Sequence, residues 1–314
     1  MRRNTKLLAG FVALALIVSA CGTGGGESTP TSGAATTTPT SATSTIPVTT
    51  TTQAPTTTTT SSPDGTGVVA YFLLEELEED AGRPFLVPVY RESVGGEDTP
   101  GAVMEALLSG PTADEQNGTP SISSAIPEGT SVIGVEVEGN QARVDLGGEF
   151  DDGGGSFSMF ARLAQVVYTL TRIDGIDQVE FLIEGQPVTV FSSEGIELDG
   201  AQERSDYYDQ LPPIFVDFPA WGEPVTSPIA ARGLSNVFEA VSQVMLTDDD
   251  GLPLFEGTVM ATCGTGCWGE WEIDVPFTID REQFGALIVW ELSASDGSQI
   301  NVREYPVQLR RGME

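Results

Sequence analysis

Residues 156–172 read Ser-Phe-Ser-Met-Phe-Ala-Arg-Leu-Ala-Gln-Val-Val-Tyr-Thr-Leu-Thr-Arg and predict a helix at the centre of the first folded module. The apolar residues recur with a period near 3.6, as expected of a helix that packs on a sheet with one face. The predicted inner face contains Phe160, Leu163, Ala164, Val167 and Leu170, and the predicted outer face contains Arg162, Gln165, Thr169 and Arg172.

Segments on both sides of this helix alternate between strand and helix patterns. Thr99 and Pro100 are suited to the N-cap and first position of another helix, and Gly139-Asn140 suits a two-residue hairpin turn. Pro88 suggests that its strand lies at a sheet edge. We expect an α+β domain over residues 67–199, with helices on one sheet. The predicted strands are 68–74, 85–90, 131–138, 141–146 and 178–183.

The last third of the chain has a different rhythm. A polar connector covers residues 200–211, and turn signals then recur every 8–15 residues over 212–314. This spacing predicts an all-β antiparallel sandwich. The predicted strands are 214–218, 238–246, 254–262, 271–279, 286–293 and 300–309.

The N-terminus has the pattern of an export signal. Arg2, Arg3 and Lys6 precede a short apolar run that ends in small residues at Ala20, and the run is too short for a membrane-spanning helix. The Cys that follows resembles the lipobox of bacterial lipoproteins. That resemblance implies removal of residues 1–20 and acylation of Cys21, which would anchor the protein to the outer face of the cytoplasmic membrane.

Residues 21–66 are predicted to form a disordered stalk. Between Ser28 and Thr66 the chain has 18 Thr, six Ser and five Pro among 39 residues. Such a segment buries too little apolar surface to offset the entropy of ordering. We expect it to act as a spacer between the membrane and the folded modules.

Composition excludes several classes of function. The net charge is −32, and after the signal 11 arginines face 46 acidic residues. This charge opposes binding to nucleic acid and to anionic headgroups. The chain has no His, which removes Ser-His-Asp chemistry, Cys-His chemistry and His-ligated zinc. We expect no cofactor.

Two further cysteines, Cys263 and Cys267, flank Gly264-Thr-Gly266. In an exported protein this spacing favours a disulfide across a tight loop. A redox-active pair is the alternative, but no thioredoxin-like pattern surrounds it. Zinc is disfavoured because only two soft ligands are present.

Acidic clusters offer weaker candidates for chemistry. Asp248, Asp249 and Asp250 precede Gly251 and invite a calcium reading, but the spacing fails the EF-hand template. A hairpin turn of the Asp-Gly type is favoured there. Paired carboxylates occur throughout the chain, so an acid pair of the glycosidase kind stays open.

Several motifs follow one another in order between about residues 100 and 190. They are Leu107-Leu-Ser-Gly-Pro111, Ser124-Ala-Ile-Pro-Glu-Gly-Thr130, Val144-Asp-Leu146 with Phe150, Arg162-Leu-Ala-Gln-Val-Val-Tyr-Thr-Leu170, and Val179 to Gly185-Gln-Pro187. This ordered set resembles the GerMN domain of sporulation and spore-germination lipoproteins. The resemblance implies assembly or cell-envelope interaction and carries no catalytic residues.

A second set of motifs lies in the last third of the chain. It contains Val225-Thr-Ser-Pro228, Gly233, Val237-Phe-Glu-Ala240, Trp268-Gly269, Gly285-Ala-Leu287 and Ser295-Asp-Gly-Ser298. This set resembles the immunoglobulin-like domain of bacterial spore germination proteins, which is commonly fused behind a GerMN domain.

Together these patterns predict a lipid-anchored, non-enzymatic binding or scaffolding protein of the cell envelope. The expected partners are envelope proteins or peptidoglycan, with the membrane contacted through the lipid. One alternative is a cell-wall hydrolase that uses only Asp and Glu. Another is a solute-binding lipoprotein, which is disfavoured because neither module has a doubly wound α/β pattern.

Overall fold

A computed structural model describes residues 67–75, 83–92, 99–193 and 195–312. The predicted signal, Cys21 and the stalk lie outside these residues. Within the described ranges, no helix has the length and apolar character needed to cross a membrane.

The described part of residues 67–199, called the N-terminal module below, contains three helices and nine strands. Pro100 starts α1 as predicted, and the Thr99 side chain accepts a hydrogen bond from Ala102 N at 3.3 Å. The elements are β1 (Gly67–Leu74), β2 (Phe85–Glu92), α1 (Pro100–Leu108), α2 (Ala113–Gln116), β3 (Ile122–Ser123), β4 (Val132–Glu138), β5 (Gln141–Leu146), α3 (Ser156–Leu170), β6 (Gln178–Ile183), β7 (Gln186–Pro187), β8 (Val190–Phe191) and β9 (Ile196–Glu197).

These strands form a three-stranded sheet in the order β2-β1-β3, a four-stranded sheet in the order β4-β5-β6-β7, and the short pair β8-β9. The hairpin β4-β5 turns at Gly139-Asn140, as predicted. Strands β5 and β6 are parallel and are connected through α3. The α+β class is confirmed, but the expectation of one sheet is wrong, because β1 and β6 belong to separate sheets. Helix α3 contacts both of these strands and so packs on both sheets.

The predicted outer face of α3 is also wrong. Arg162, Gln165 and Thr169 are buried, whereas Phe160, predicted to face inward, is 38% exposed. Gln165 Nε2 donates to the Tyr71 carbonyl at 2.9 Å, and Tyr71 N donates to Thr169 Oγ1 at 3.0 Å.

These two hydrogen bonds explain why Gln165 and Thr169 are buried. Strand β3 pairs with β1 only at Leu73 and Leu74, so β1 has an open edge at Tyr71. Buried backbone groups need partners, and two polar side chains of α3 supply them. The helix therefore completes the sheet as well as covering it.

Residues 212–312, called the C-terminal module below, form a β-sandwich as predicted. One sheet has the order β10-β12-β15, and the other has the order β11-β17-β16-β13-β14. A 3₁₀ turn occupies Phe238–Ala240, where the sequence predicted the start of a strand. The strands are β10 (Ile214–Phe218), β11 (Pro224–Val225), β12 (Ile229–Ser235), β13 (Val241–Thr247), β14 (Pro253–Met260), β15 (Gly269–Val275), β16 (Gln283–Leu292) and β17 (Gln299–Leu309).

Candidate binding groove between the modules

A partly buried ionic cluster joins the two modules at Asp217 of β10. Its Oδ1 atom accepts hydrogen bonds from the Tyr71 hydroxyl and from Arg204 Nη1, the latter at 3.1 Å. Its Oδ2 atom lies 3.2 Å from Arg172 Nη1. One carboxylate of the C-terminal module thus binds β1, the end of α3 and the connector together.

The cluster is ionised under ordinary conditions. Burial works to raise the pKa of the Asp217 carboxyl, but the Arg204 and Arg172 guanidiniums outweigh it and hold that pKa well below its usual range. Burial and the Asp217 charge raise the pKa of Tyr71 to about 12, so its hydroxyl remains a donor. Both members of each Asp217–Arg pair are therefore charged at neutral pH.

A second connection runs through the backbone at Trp221. Trp221 N donates to the Pro88 carbonyl at 2.9 Å, and Tyr90 N donates to the Trp221 carbonyl at 3.0 Å. The next residues turn to β17, where Gly222 N donates to the Pro306 carbonyl at 2.7 Å. Segment 221–225 therefore lies between β2 and β17 and links the three-stranded sheet to the five-stranded one.

Trp221 borders a groove of about 790 Å³ with walls from both modules. Its lining combines apolar and aromatic side chains with carboxylates. This composition is typical of ligand sites, which combine apolar walls with a few polar groups. The lining residues are Leu74, Glu75, Phe85, Asp114, Glu115, Gly118, Thr119, Pro120, Ile122, Pro213, Trp221, Asn301, Val302, Arg303, Glu304 and Pro306.

Ionic contacts set the groove walls. Arg91 Nη1 and Nη2 each lie 2.8 Å from a Glu115 carboxylate oxygen in a bidentate pair. Arg303 of the C-terminal module stacks over the Phe85 ring of the N-terminal module, with its Cζ atom 5.7 Å from the ring centroid. A guanidinium over an aromatic face is attractive, so this contact adds to the connection between the modules.

The predicted cysteine pair lies away from the groove, in the loop between β14 and β15. The structure joins Cys263 to Cys267 with Cα atoms 5.8 Å apart, inside the usual range for a disulfide. Gly266 has φ +98°, a backbone conformation that residues with a Cβ atom rarely adopt. A Cβ on Gly264 would approach Ala240 Cα to 2.5 Å. A side chain at Gly266 would strain the backbone, and one at Gly264 would clash with Ala240. The oxidation state of Cys263 and Cys267 stays a prediction.

The acidic run forms the turn between β13 and β14. Asp248 Oδ1 accepts hydrogen bonds from Asp250 N at 3.0 Å and from Leu252 N at 2.8 Å. Asp249 pairs with Arg281 at 2.6 Å. In the part of the chain that the structure describes, no group of three or more acidic, His or Cys side chains is arranged to hold a metal ion.

None of the predicted site residues lines the groove, and sequence reasoning missed the groove entirely. Cys21 lies outside the described residues. One signal was available, because Asp217 is a single carboxylate inside the apolar run 214–218. A buried charge in a strand needs a buried partner, but the sequence does not say which arginine supplies it.

Comparisons with known proteins agree with this architecture. Residues 69–189 match the family model for sporulation and spore germination called Germane. Residues 213–298 match Gmad2, the immunoglobulin-like domain of bacterial spore germination. A search of the curated proteins finds no match.

The solved structures that match this chain are remote in sequence, and their TM-scores are low. A structure described as a lipoprotein from Clostridium perfringens is 20% identical, covering 46% of this chain and 91% of that chain, with a TM-score of 0.31. The first GerMN domain of the sporulation protein GerM from Bacillus subtilis is 18% identical, covering 44% and 99%, with a TM-score of 0.35. The tandem GerMN domains of the same protein are 16% identical, covering 67% and 61%, with a TM-score of 0.37.

The two family matches follow one another along the chain and coincide with the α+β module and the β-sandwich. The chain therefore carries a Germane domain, the family of sporulation and spore germination, followed by a Gmad2 immunoglobulin-like domain of bacterial spore germination.

Proposed function

We propose that the protein is a lipid-anchored, non-enzymatic binding protein of the cell envelope, with an envelope protein or peptidoglycan as its partner. The observation that carries this proposal is the groove whose walls come from both modules. The Asp217 cluster and the Trp221 segment hold those walls in place. A site that both modules build gives a physical reason for their fusion in one chain.

The N-terminal sequence supports the location. Acylation of Cys21 would attach the chain to the outer face of the membrane, and the stalk would set its reach. A flexible coil of this length spans about 35–40 Å, and an extended polyproline form spans about 120 Å. The groove would then meet partners within or beyond the wall layer.

The groove carboxylates are engaged in ways that suit binding. Glu115 is held in its pair with Arg91, and Glu75 Oε1 accepts a hydrogen bond from the Ser123 hydroxyl at 3.2 Å. Glycoside hydrolysis needs a proton donor and a second carboxylate on opposite sides of the scissile bond. Glu115 is poorly placed for the donor role because Arg91 already binds both of its carboxylate oxygens.

Sedimentation with purified sacculi tests the peptidoglycan branch and separates binding from hydrolysis. We expect the detergent-extracted protein to co-sediment without releasing muropeptides. Val302→Glu, at a groove residue that is 44% exposed, should weaken binding. Ile133→Glu is the matched control, since Ile133 is 57% exposed and lies on β4 outside the groove.

Release of muropeptides would replace the binding proposal with the hydrolase alternative. If sacculi are not bound, crosslinking in cells tests the protein branch. Loss of crosslinked species in the Val302→Glu protein, with retention in Ile133→Glu, is the result expected there.

A further inference from the structure

The groove runs along the edge of a strand rather than over the face of a sheet. Its lining includes Asn301, Val302, Arg303 and Glu304, four consecutive residues of β17. Successive side chains of a strand point to opposite faces. Consecutive residues therefore border one cavity when the cavity follows the strand edge.

Among the residues that the structure describes, none pairs its backbone with this edge of β17 before Pro306. The Pro306 carbonyl accepts from Gly222 N, and Gln308 N donates to the Glu223 carbonyl at 3.0 Å, so both groups point away from β16. By the period of two, the N–H and C=O of Glu304 point the same way. Strand β11 pairs with β17 only at Gln308 and Leu309, and Glu304 is exposed.

The segment at Trp221 shows how an extended chain fits between the strands. It runs parallel to β17 at Pro224 and Val225, and Trp221 forms a parallel bridge with Val89 of β2. The groove continues this line toward the beginnings of both strands. Because Gly222 occupies the Pro306 carbonyl, the available edge runs from Tyr305 back to Val302. It is about 10 Å long, which suits a peptide of about three residues.

The charged residues that border the groove indicate which kind of partner segment it would bind. Glu75, Asp114 and Glu304 border the groove together with Arg303, while Glu115 is neutralised by Arg91. The chain as a whole carries −32. The charge of the groove and the net charge of the chain both favour a basic segment, because complementary potentials steer association and suppress wrong partners.

We propose that the groove binds an extended, basic peptide segment of a partner protein, which pairs as an added strand with the β17 edge at Glu304. This inference rests on the proposed binding function and chooses a protein over a glycan as partner. Strand addition derives affinity from main-chain hydrogen bonds and specificity from pockets for alternate side chains. Phe85, Trp221 and Val302 supply apolar surface for those side chains.

Fluorescence anisotropy with a defined probe tests the inference. The probe is a labelled seven-residue peptide that alternates arginine with valine, and the protein is the full chain in detergent. One control peptide replaces arginine with glutamate, and the other has N-methyl groups on alternate backbone nitrogens. Loss of main-chain bonds should weaken binding of the methylated peptide by about tenfold or more.

Variants at one position separate backbone pairing from charge. Glu304→Pro removes the outward N–H at a site two residues before Pro306, which the strand already accommodates. It should weaken binding by about tenfold. Glu304→Gln keeps the N–H and should stay within about threefold of the wild type. Thermal unfolding of both variants verifies that the fold is kept.

Equal binding of the methylated and unmethylated peptides would overturn strand addition. Displacement of the basic peptide by a tetramer of N-acetylglucosamine would overturn the choice of a protein partner in favour of a glycan. If no peptide binds while crosslinking or sacculus binding still depends on Val302, this inference fails and the proposed function stands. If neither the probe nor any envelope component binds, both fail.

Discussion

The Tyr71 hydroxyl donates a hydrogen bond to the Asp217 carboxylate across 146 positions of sequence. Tyr71 lies on the central strand of one module, and Asp217 lies on the first strand of the other. Arg204 of the connector binds the same carboxylate oxygen and stacks on the Tyr168 ring, 4.8 Å from its centroid. The two domains and the segment between them therefore share one partly buried polar centre.

Removing the negative charge of this centre should destabilise the whole protein. Asp217→Asn leaves the partly buried Arg172 and Arg204 without their counter-charge. Breaking a fully buried pair in this way costs about 3–5 kcal/mol, and partial exposure should bring the loss here to the lower end of that range. Urea unfolding measures the change. Asp249→Asn, which breaks an exposed pair with Arg281, is the control and should change stability little. Equal effects of the two substitutions would rule out the stabilising role of Asp217.

Alkaline pH should weaken the fold before the Tyr71 hydroxyl ionises in the folded state. Burial raises the pKa of Tyr71 to about 12, whereas an unfolded tyrosine ionises near 10. The stabilising contribution is therefore complete below pH 10 and is lost as the pH rises from about 10 to 12. Unfolding free energy measured across this interval should fall, and it should fall less steeply in Tyr71→Phe. An identical slope in that variant would show that other groups control it.

The contribution of Glu223 to the free energy of unfolding should depend on pH in the opposite sense from that of Asp217, because the pKa of Glu223 is raised and that of Asp217 is lowered. Burial raises the pKa of the Glu223 carboxyl despite the nearby Arg172 guanidinium. A raised pKa means that folding favours the protonated form, so this contribution is present below the unfolded pKa and is lost as the pH rises. Glu223→Gln keeps an acceptor for Ala220 N and should leave stability at pH 7 unchanged or slightly higher. A large loss at pH 7 would show that the Arg172 interaction outweighs burial.

The polar bonds from α3 to β1 should be worth more than surface hydrogen bonds. Thr169→Val preserves shape but leaves Tyr71 N buried without its acceptor, which costs about 1–3 kcal/mol. Ser158→Ala removes an exposed bond to the Gly155 carbonyl and serves as control. Thermal unfolding that shifts equally in both variants would contradict the proposed completion of the β1 edge.

The cysteine pair should be oxidised in the exported protein. Maleimide labelling of denatured protein should find Cys263 and Cys267 unreactive before reduction and reactive after it. Replacing both with Ser should cost about 2 kcal/mol, since the closed loop is short. Full labelling without a reductant would show that the pair is free thiol.

Local patterns predicted most of the fold, and long-range pairing explains what they missed. The Thr99 cap and the Gly139-Asn140 turn depend on neighbours in sequence and were predicted at the right positions. Gln165 and Thr169 looked solvent-facing because helix periodicity assumes that polar residues seek water. Their partners are backbone groups of Tyr71, 94 and 98 positions away.

The groove could not be predicted from local patterns either, because its walls are brought together by long-range contacts. Trp221 and Pro306 are unremarkable in a strand-rich sequence, and their roles arise from the meeting of two sheets. The lipobox, by contrast, is a contiguous motif, so the expectation for Cys21 comes from sequence alone.

Membrane attachment through Cys21 is the claim on which the proposed function depends most directly. Cells grown with a labelled fatty acid and then fractionated measure it. The wild-type protein should carry the label and sediment with membranes, and the Cys21→Ala protein should carry none. Absence of label from the wild type, or equal labelling of the Cys21→Ala protein, would contradict the lipid anchor.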